Sequence, residues 1–451
     1  MNDDLIFPDG SYTKLADSLL SSYDESCAII LAGYATHMGR SRLLVREIHE
    51  APSDAYQTRN SIAAELKPEF IAPFVKRAKK SNASLIFAHT HPGDSKRPVF
   101  SAIDDRGEHA LAKFLAHRHL KGPHAALVIS PGGCAARLIP GGTPLHIVEV
   151  GKQLRYHSEL SDGPTNEKLF DRQIRAFGKT GQDVLRGLKI GIVGLGGTGS
   201  VVAQQLAYLG VRQFLLIDFD VADVTNLNRL VGASQSQLNI PKTTIAADNI
   251  RRIVPESDID AIIGSVLDDS TAKRLLECDF LFGCTDNHGS RAVVQHIVYQ
   301  YYIPCIDMGV VITAEKGKVT HIAGRVQMLS PGLPCLTCGN LLDAGAVRFD
   351  LMTADQRAAD PYFMGHLAEP QPAVISLNST IASLAVTMFL GAVTDVPVHP
   401  RFQTYNAMSG NVRTVAFFPD PMCVVSSENG VLGRGDEWPL PTRKMIDAFN
   451  S

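Results

Sequence analysis

Two stretches of this chain place reactive side chains at spacings that chemistry can use. The first is Ala88-His89-Thr90-His91-Pro92, followed by Ser101-Ala102-Ile103-Asp104. An apolar strand pattern, Ser84 to Ala88, runs into two histidines one residue apart. Alternate residues of a strand point the same way, so His89 and His91 can share one metal ion. Asp104 can add an oxygen ligand and leave a fourth position to water, the arrangement of a catalytic zinc rather than a closed structural one. A zinc-bound water needs a base that takes its proton and passes it to a leaving amine. Glu25, just before the apolar run Cys27 to Gly33, can serve, with Glu47 and Glu50 as weaker candidates. Asp94 and Asp105 are the alternative third ligands. A lone His-x-His is usually a polar strand end and Ser101 could simply cap a helix; the joint pattern argues for chemistry.

The second stretch is Leu188 to Val193, a buried-strand pattern, then Gly194-Leu195-Gly196-Gly197-Thr198-Gly199, then an apolar helix pattern from Val201 to Gly210. A strand, a glycine turn and a helix start cradle nucleotide phosphates. Asp218 ends the next strand and can hold ribose hydroxyls. Asn226, Arg229 and Lys242 follow, then Asp286 behind a later strand. A hydride-transfer enzyme needs no such cluster. Attack of a carboxylate on the α-phosphate of ATP needs cations that shield two anions from one another and an Asp that holds Mg²⁺.

The surrounding elements must position these groups. With 451 residues the chain has room for two or three domains, and its 45% hydrophobic and 20% charged content is that of a globular protein. A net charge of −3 argues against nucleic acid or an anionic membrane as partner. The acidic start lacks a signal region, and the apolar stretch Ile381 to Val393 reads as a core helix too short to span a bilayer. Eight cysteines in so long a chain do not suggest a disulfide framework, which points to a cytoplasmic location. Residues 1–150 read as one α/β domain, with strands at Cys27–Ala32, Leu43–Ile48 and Ala125–Ser130 and helices at Ser61–Ser81 and Ala102–His117. Residues 151–165 read as a linker. Residues 166–427 alternate strands and helices in the βαβ manner, implying a Rossmann-like, mostly parallel sheet, and 428–451 reads as a partly irregular tail.

Glu25 with Ser26 to Gly33, His89-x-His91-Pro92 and Ser101-x-x-Asp104 resembles the JAB/MPN metalloprotease (JAMM) family. That resemblance implies a zinc-dependent peptidase cutting peptide or isopeptide bonds after the terminal glycine of ubiquitin-like proteins. It implies zinc on His89, His91 and Asp104, Glu25 as general base and acid, and Ser101 holding the oxyanion or water. The interval from His91 to Ser101 is longer than the family's. From Phe170-Asp171-Arg172-Gln173-Ile174 to Asp286-Asn287 and Arg291 the chain resembles the ubiquitin-activating superfamily in its bacterial MoeB/ThiF form. That implies adenylation of a ubiquitin-like carboxyl terminus with ATP and Mg²⁺. Gly194, Gly196, Gly197 and Gly199 would line the phosphates, with Asp218 on the ribose, Asn226, Arg229 and Lys242 on the phosphates, and Asp286 on Mg²⁺. Arg172 would serve the partner subunit's site, so a homodimer is expected, and a conjugating enzyme or sulfur-transfer protein would act next. The family often carries a four-cysteine structural zinc. Here Cys335, Cys338 and Cys423 could hold one, but Ser426 stands where the fourth thiol belongs, and serine is a poor zinc ligand. No cysteine lies between Gly339 and Pro372, where the family's transfer thiol usually sits, so adenylation without a thioester at that position is expected. Cys305 is the fallback nucleophile. Two other readings remain: a non-catalytic scaffold for ubiquitin-like tails, and a nicotinamide-dependent oxidoreductase.

Overall fold

In the computed structural model the described residues are 3–94, 96–158, 167–315, 318–353, 356–357 and 372–443. They form two compact units. The first holds the amino-terminal residues up to 158 with Tyr299–Tyr302 and Ser426–Pro439; the second holds 167–298, 303–425 and 440–443.

The first unit runs β1 (Asp3–Pro8), α1 (Ser11–Leu19), β2 (Cys27–His37), β3 (Arg40–Glu50), β4 (Tyr56–Arg59), β5 (Ala64–Leu66), α2 (Pro68–Lys80), β6 (Ser84–Thr90), α3 (Ala102–His117), β7 (Ala125–Ser130), β8 (Gly133–Leu138), β9 (Pro144–Val150) and β10 (Leu154–Tyr156). Eight strands make one sheet in the order β1-β3-β2-β6-β7-β8-β9-β10, and β1 also pairs with β9, so the sheet closes on itself like a barrel. The continuous apolar run of β2 follows from burial on both faces. Ala28, Ile30 and Ala32 join Leu5, Phe7 and Leu15, while Ile29 and Leu31 point oppositely, toward Val75 of α2 and Leu115 of α3.

Several sequence-based bounds shift for local reasons. The segment expected as one helix from Ser61 to Ser81 is split, because Pro68 disfavours helical backbone at Lys67 and takes the first position of α2. Residues 154–156 of the expected linker are strand β10, while 159–165 lie outside the described residues. Part of the expected tail is structural. Gln300 donates to the carbonyls of Gly435 and Trp438, and Gly435 bridges Tyr34. A Cβ at Gly435 would lie 2.1 Å from the Tyr34 carbonyl oxygen, and its φ of +56 suits glycine. Residues 444–451 lie outside the described residues.

The second unit runs α4 (Glu167–Gly187, interrupted at Phe177–Gly178), β11 (Lys189–Val193), α5 (Gly197–Tyr208), β12 (Gln213–Asp218), α6 (Lys242–Ile253), β13 (Asp258–Ile263), α7 (Asp269–Arg274), β14 (Phe280–Gly283), α8 (His288–Tyr301), β15 (Cys305–Glu315), β16 (Lys318–Leu329), α9 (Ala344–Leu351), α10 (Ile375–Val393), β17 (Phe402–Asn406) and β18 (Asn411–Thr414). Its sheet is ordered β13-β12-β11-β14-β15-β16-β17-β18. The pairings from β13 to β15 are parallel, as expected, but those from β15 to β18 are antiparallel, so the sheet is mixed. A short return between β15 and β16 permits only antiparallel pairing, because a parallel crossover needs a dozen or more residues. The β15 strand begins at Cys305 rather than Tyr302, since Tyr302 has a left-handed φ of +55 and Pro304 follows.

Helix α10 is longer than the apolar stretch singled out in the sequence. Length and composition alone would let it cross a membrane. Here it packs on α5, β15 and β16, with Phe389 edge-on to Phe280 at 4.9 Å.

Candidate functional sites

In the first unit β6 carries His89 to its end, and His91 follows, its N–H donating to Ile129 of the parallel neighbour β7. The two imidazole Nε2 atoms stand 3.2 Å apart. Asp104 Oδ1 lies 3.1 Å from His89 Nε2, and its Oδ2 lies 3.7 Å from His91 Nε2. Tetrahedral zinc at about 2.0–2.1 Å from each nitrogen sets ligand atoms roughly 3.3 Å apart, so this triangle has the size of a metal site. Burial opposes ionisation of Asp104, but His89 and the Ser101 N–H outweigh it and hold the carboxyl well below its usual range.

The structure separates the alternatives. Asp94 sits on the other nitrogen of His91, Nδ1 to Oδ2 at 3.2 Å, where it orients the ring. Asp105 is paired with Arg137. Glu47 is engaged by Arg77 and His49, and Glu50 accepts from Ser18. Glu25 is buried, and its charge interacts with His89, His91 and Asp104; burial pushes its carboxyl up while the histidines oppose. Ser101 is the amino-terminal cap of α3. Its hydroxyl oxygen accepts from the N–H groups of Ile103 and Asp104, and the Asp104 carboxylate accepts from the Ser101 N–H at 2.6 Å. Capping therefore aims Asp104, a positioning role for Ser101 beside the one expected from the sequence.

One element escaped the sequence reading. The β4–β5 hairpin grips Glu25: its N–H donates to Asn60 O, its carbonyl accepts from Arg59 Nε at 3.0 Å, and its carboxylate accepts from the Ala64 N–H. Arg59 Nη2 also donates to Ser26 Oγ at 2.7 Å. No local signal links Arg59 to Glu25.

In the second unit the glycine turn leads into α5 (Gly197–Tyr208), whose first N–H groups have no partner within a helix. Gly194 has φ of +88, and a Cβ at Gly199 would stand 1.9 Å from Gly194 O, so these two glycines are demanded by the turn itself. Around Gly196 nothing lies within 4 Å of an added Cβ, which leaves room for a phosphate at a helix N-terminus. Asp218, buried at the end of β12, accepts from Leu195 N–H at 2.6 Å and Asp220 N–H at 2.8 Å. Burial raises its carboxyl pKa against those bonds.

Arg229 reaches this turn, Lys242 stands beside Asp218 and Asp220, and Asp286 follows a backbone segment that touches the turn. Arg229 Cδ is 3.4 Å from the Cβ position of Gly197, and its guanidinium donates to Thr225 O and Asn228 Oδ1. Lys242 Nζ pairs with Asp220 Oδ2 at 2.7 Å and interacts with Asp218. Asp286 is exposed, two residues past Cys284, whose carbonyl oxygen is 2.8 Å from a Cβ at Gly194. Asn226 shares the loop of Arg229, its carbonyl accepting the Arg229 N–H and its amide donating to Thr225 Oγ1. Arg172 is exposed on the first half of α4. Two contacts were not anticipated: Asp220 holding Lys242, and Asn378 of α10 lying 2.1 Å from a Cβ at Gly197. A lone Asn in the apolar α10 was the available signal for the second.

Cys305 is fully buried and its thiol is raised well above its usual pKa by burial, Asp307 and Cys284. Since the thiolate is the nucleophile, this environment disfavours Cys305 as a nucleophile. Cys335 Sγ lies 3.5 Å from both Cys338 Sγ and Cys423 Sγ. The N–H groups of Cys338, Asp420 and Val425 point at these sulfurs. Three sulfurs so disposed can hold a metal ion; among the described residues the cluster stops at three. Ser426 is buried and counts with the first unit.

Comparison with known proteins gives a match to a family described as the ThiF family over residues 170–425. The chain is 30% identical over 275 residues to a molybdopterin-synthase adenylyltransferase of Escherichia coli, covering 60% of this chain and 100% of the relative. It is 25% identical over 252 residues to a ubiquitin-like modifier-activating enzyme 5 of Xenopus laevis, covering 53% and 59%. It is 24% identical over 256 residues to a SAMP-activating enzyme E1 of Haloferax volcanii, covering 56% and 86%. The ThiF match begins at residue 170, beyond the amino-terminal segment of the first unit.

Proposed function

The chain belongs to the ThiF family, and from that premise we propose that its second unit adenylates the terminal glycine carboxylate of a ubiquitin-like or sulfur-carrier protein with ATP and Mg²⁺. What supports this reading is the open space beside Gly196 at the N-terminus of α5, with Arg229 against Gly197 and Lys242 beside the buried Asp218. The N–H groups at the start of α5 receive phosphate oxygens, and the remaining lone pairs of Asp218 accept from ribose hydroxyls. Lys242 leaves Asp220 and Arg229 leaves its loop carbonyl to meet phosphate, so each exchanges one anionic or polar partner for another. Asp286 supplies carboxylate oxygen to Mg²⁺. The tail carboxylate attacks the α-phosphorus, a new P–O bond forms, and the bond to the β-phosphate breaks to release pyrophosphate. Arg172, exposed in its own subunit, reaches the site of a second copy in this reading, which makes the active form a homodimer.

The first unit, in the same reading, is a zinc peptidase of JAB/MPN type working on the same tail, either trimming a precursor or reversing conjugation. His89, His91 and Asp104 would hold the ion, which would supply an acidified water; Glu25 would move the proton, and Asp94 orients the His91 ring. The site geometry supports this over a scaffold, because the buried Glu25 carboxylate lies in the field of His89, His91 and Asp104. The deciding experiment is ATP–pyrophosphate exchange driven by a small β-grasp protein ending in Gly-Gly. Asp286→Ala is expected to abolish it, and exchange that survives unchanged removes the reading.

A further inference from the structure

Asp307 on β15 is 2% exposed and serves two arginines. Arg325 Nη2 lies 2.5 Å from its Oδ2, and Arg291 Nε lies 3.4 Å from its Oδ1. Both guanidinium side chains are mostly buried, at 15% and 16% exposure. Among the described residues no second carboxylate pairs with either, so two cations share one anion. The neighbouring thiols of Cys284 and Cys305 add no charge, since burial keeps both protonated.

The placement of this surplus charge is specific. Register pairs Asp307 with Gly283, the last residue of β14, at the carboxyl end of the parallel strands. That is where ligands bind in open α/β sheets. Arg291 Nη2 donates to Thr285 O at 2.9 Å, in the loop that carries Asp286, and to Met308 O at 3.3 Å. A Cβ at Gly309 would stand 2.9 Å from Arg291 Nη2, so that glycine makes room for the guanidinium. Arg325, opposite Gly309 on β16, is tied among the described residues to Asp307 and, at 3.4 Å, to Gln327 Oε1. Burial lowers the Arg325 pKa; Asp307 opposes this and Arg291 adds to it. A half-neutralised buried cation is costly to a fold unless an anion completes it. Arginine's planar fork suits a carboxylate, and one oxygen held in this way leaves the other free to attack.

We propose that Arg325, together with Arg291, receives the terminal carboxylate of the polypeptide that the second unit adenylates. The assignment rests on the adenylation reading and adds the group that holds the nucleophile. Arg229 and Lys242 then serve the phosphates, and a separate pair of cations serves the carboxylate, so the two anionic reactants approach without sharing a counter-charge.

The test uses the full-length protein with Mg²⁺ and a non-hydrolysable ATP analogue. The probes are a synthetic peptide ending in Gly-Gly with a free carboxylate and the same peptide as its terminal amide. The parent is expected to bind the carboxylate form about tenfold or more tighter, the size of a charge-assisted hydrogen bond. Arg325→Gln is expected to erase that preference while binding the ATP analogue normally; a purely structural role would weaken both peptides alike. Arg325→Lys, which keeps the charge in a smaller perturbation, is expected to restore part of the preference. A parent that binds both peptides alike, or neither, overturns the assignment, as does an unchanged ratio in either folded variant. ATP–pyrophosphate exchange in the parent separately decides the adenylation reading.

Discussion

Substituting alanine at Gly199 and at Gly196 should separate two meanings of a glycine that sequence alone cannot tell apart. At Gly199 an added Cβ would stand 1.9 Å from Gly194 O, 3.0 Å from Gly194 C and 3.3 Å from Cys284 Cβ. An ordinary carbon–oxygen contact is about 3.4 Å or more, so the turn or α5 must retreat by roughly 1.5 Å. Neither can yield as a flexible side chain would. Gly194 is itself pinned, its N–H donating to Ile217 O at 2.9 Å. Overpacking of this kind costs about 1–3 kcal/mol, and a displacement on the order of 1 Å at a reacting centre costs about a hundredfold in rate. Gly199→Ala should therefore lower both the melting temperature and exchange activity. At Gly196 the Cβ meets nothing within 4 Å, although the residue's ψ of −151 lies at the edge of the backbone region other residues favour. Gly196→Ala should cost no more than about 1 kcal/mol of stability yet bind ATP far more weakly, because the methyl occupies the space a phosphate needs. Differential scanning calorimetry gives stability, and titration with ATP and Mg²⁺ gives affinity. A stable Gly199→Ala that binds ATP normally, or a Gly196→Ala with parental affinity, would refute the reasoning.

Three further expectations concern other parts of the chain. Glu277 is buried, pairs with Lys189 at 2.9 Å and with Arg274, and has its pKa lowered to about 2: burial opposes that shift, and the two cations outweigh it. A depressed folded pKa means its stabilisation is full above the ordinary value of 4.5 and is lost as pH falls toward 2. Denaturant titrations across that window should show the parent losing roughly 2–3 kcal/mol more than Glu277→Gln; parallel losses would dismiss the pair as a stabiliser. Cys305→Ala should leave exchange and overall turnover within about twofold of the parent at a temperature where it stays folded, and a loss above tenfold would reinstate the thiol as nucleophile. Glu25→Gln should retain the zinc bound by His89, His91 and Asp104 while losing cleavage of a tail extension by about 10²–10⁴-fold. His89→Ala should lose both; metal analysis showing equal zinc in His89→Ala and parent would sink the site.

Local chemistry made the two reactive neighbourhoods legible in the sequence. The spacing of His89 and His91 follows from the period of a strand, and α3 and β7 occur at the expected residues because caps and apolar alternation act within a few positions. The glycine turn was legible for the same reason. Fold class was legible in part, since β11 to β15 are parallel while β15 to β18 turned out antiparallel. Assigning carboxylates required the tertiary structure. Asp104 was the expected third ligand but Asp94 and Asp105 remained alternatives, and Glu47 and Glu50 remained weaker candidates beside Glu25 as the base. The structure distinguishes them by partners brought from elsewhere in the chain: Arg137 takes Asp105, Arg77 takes Glu47, and the β4–β5 hairpin holds Glu25. The same holds for Asp307, whose two arginines come from α8 and β16. A backbone dihedral answers to its immediate neighbours, but a charge answers to whatever the fold packs within a few ångströms, and residues far apart in sequence decide that.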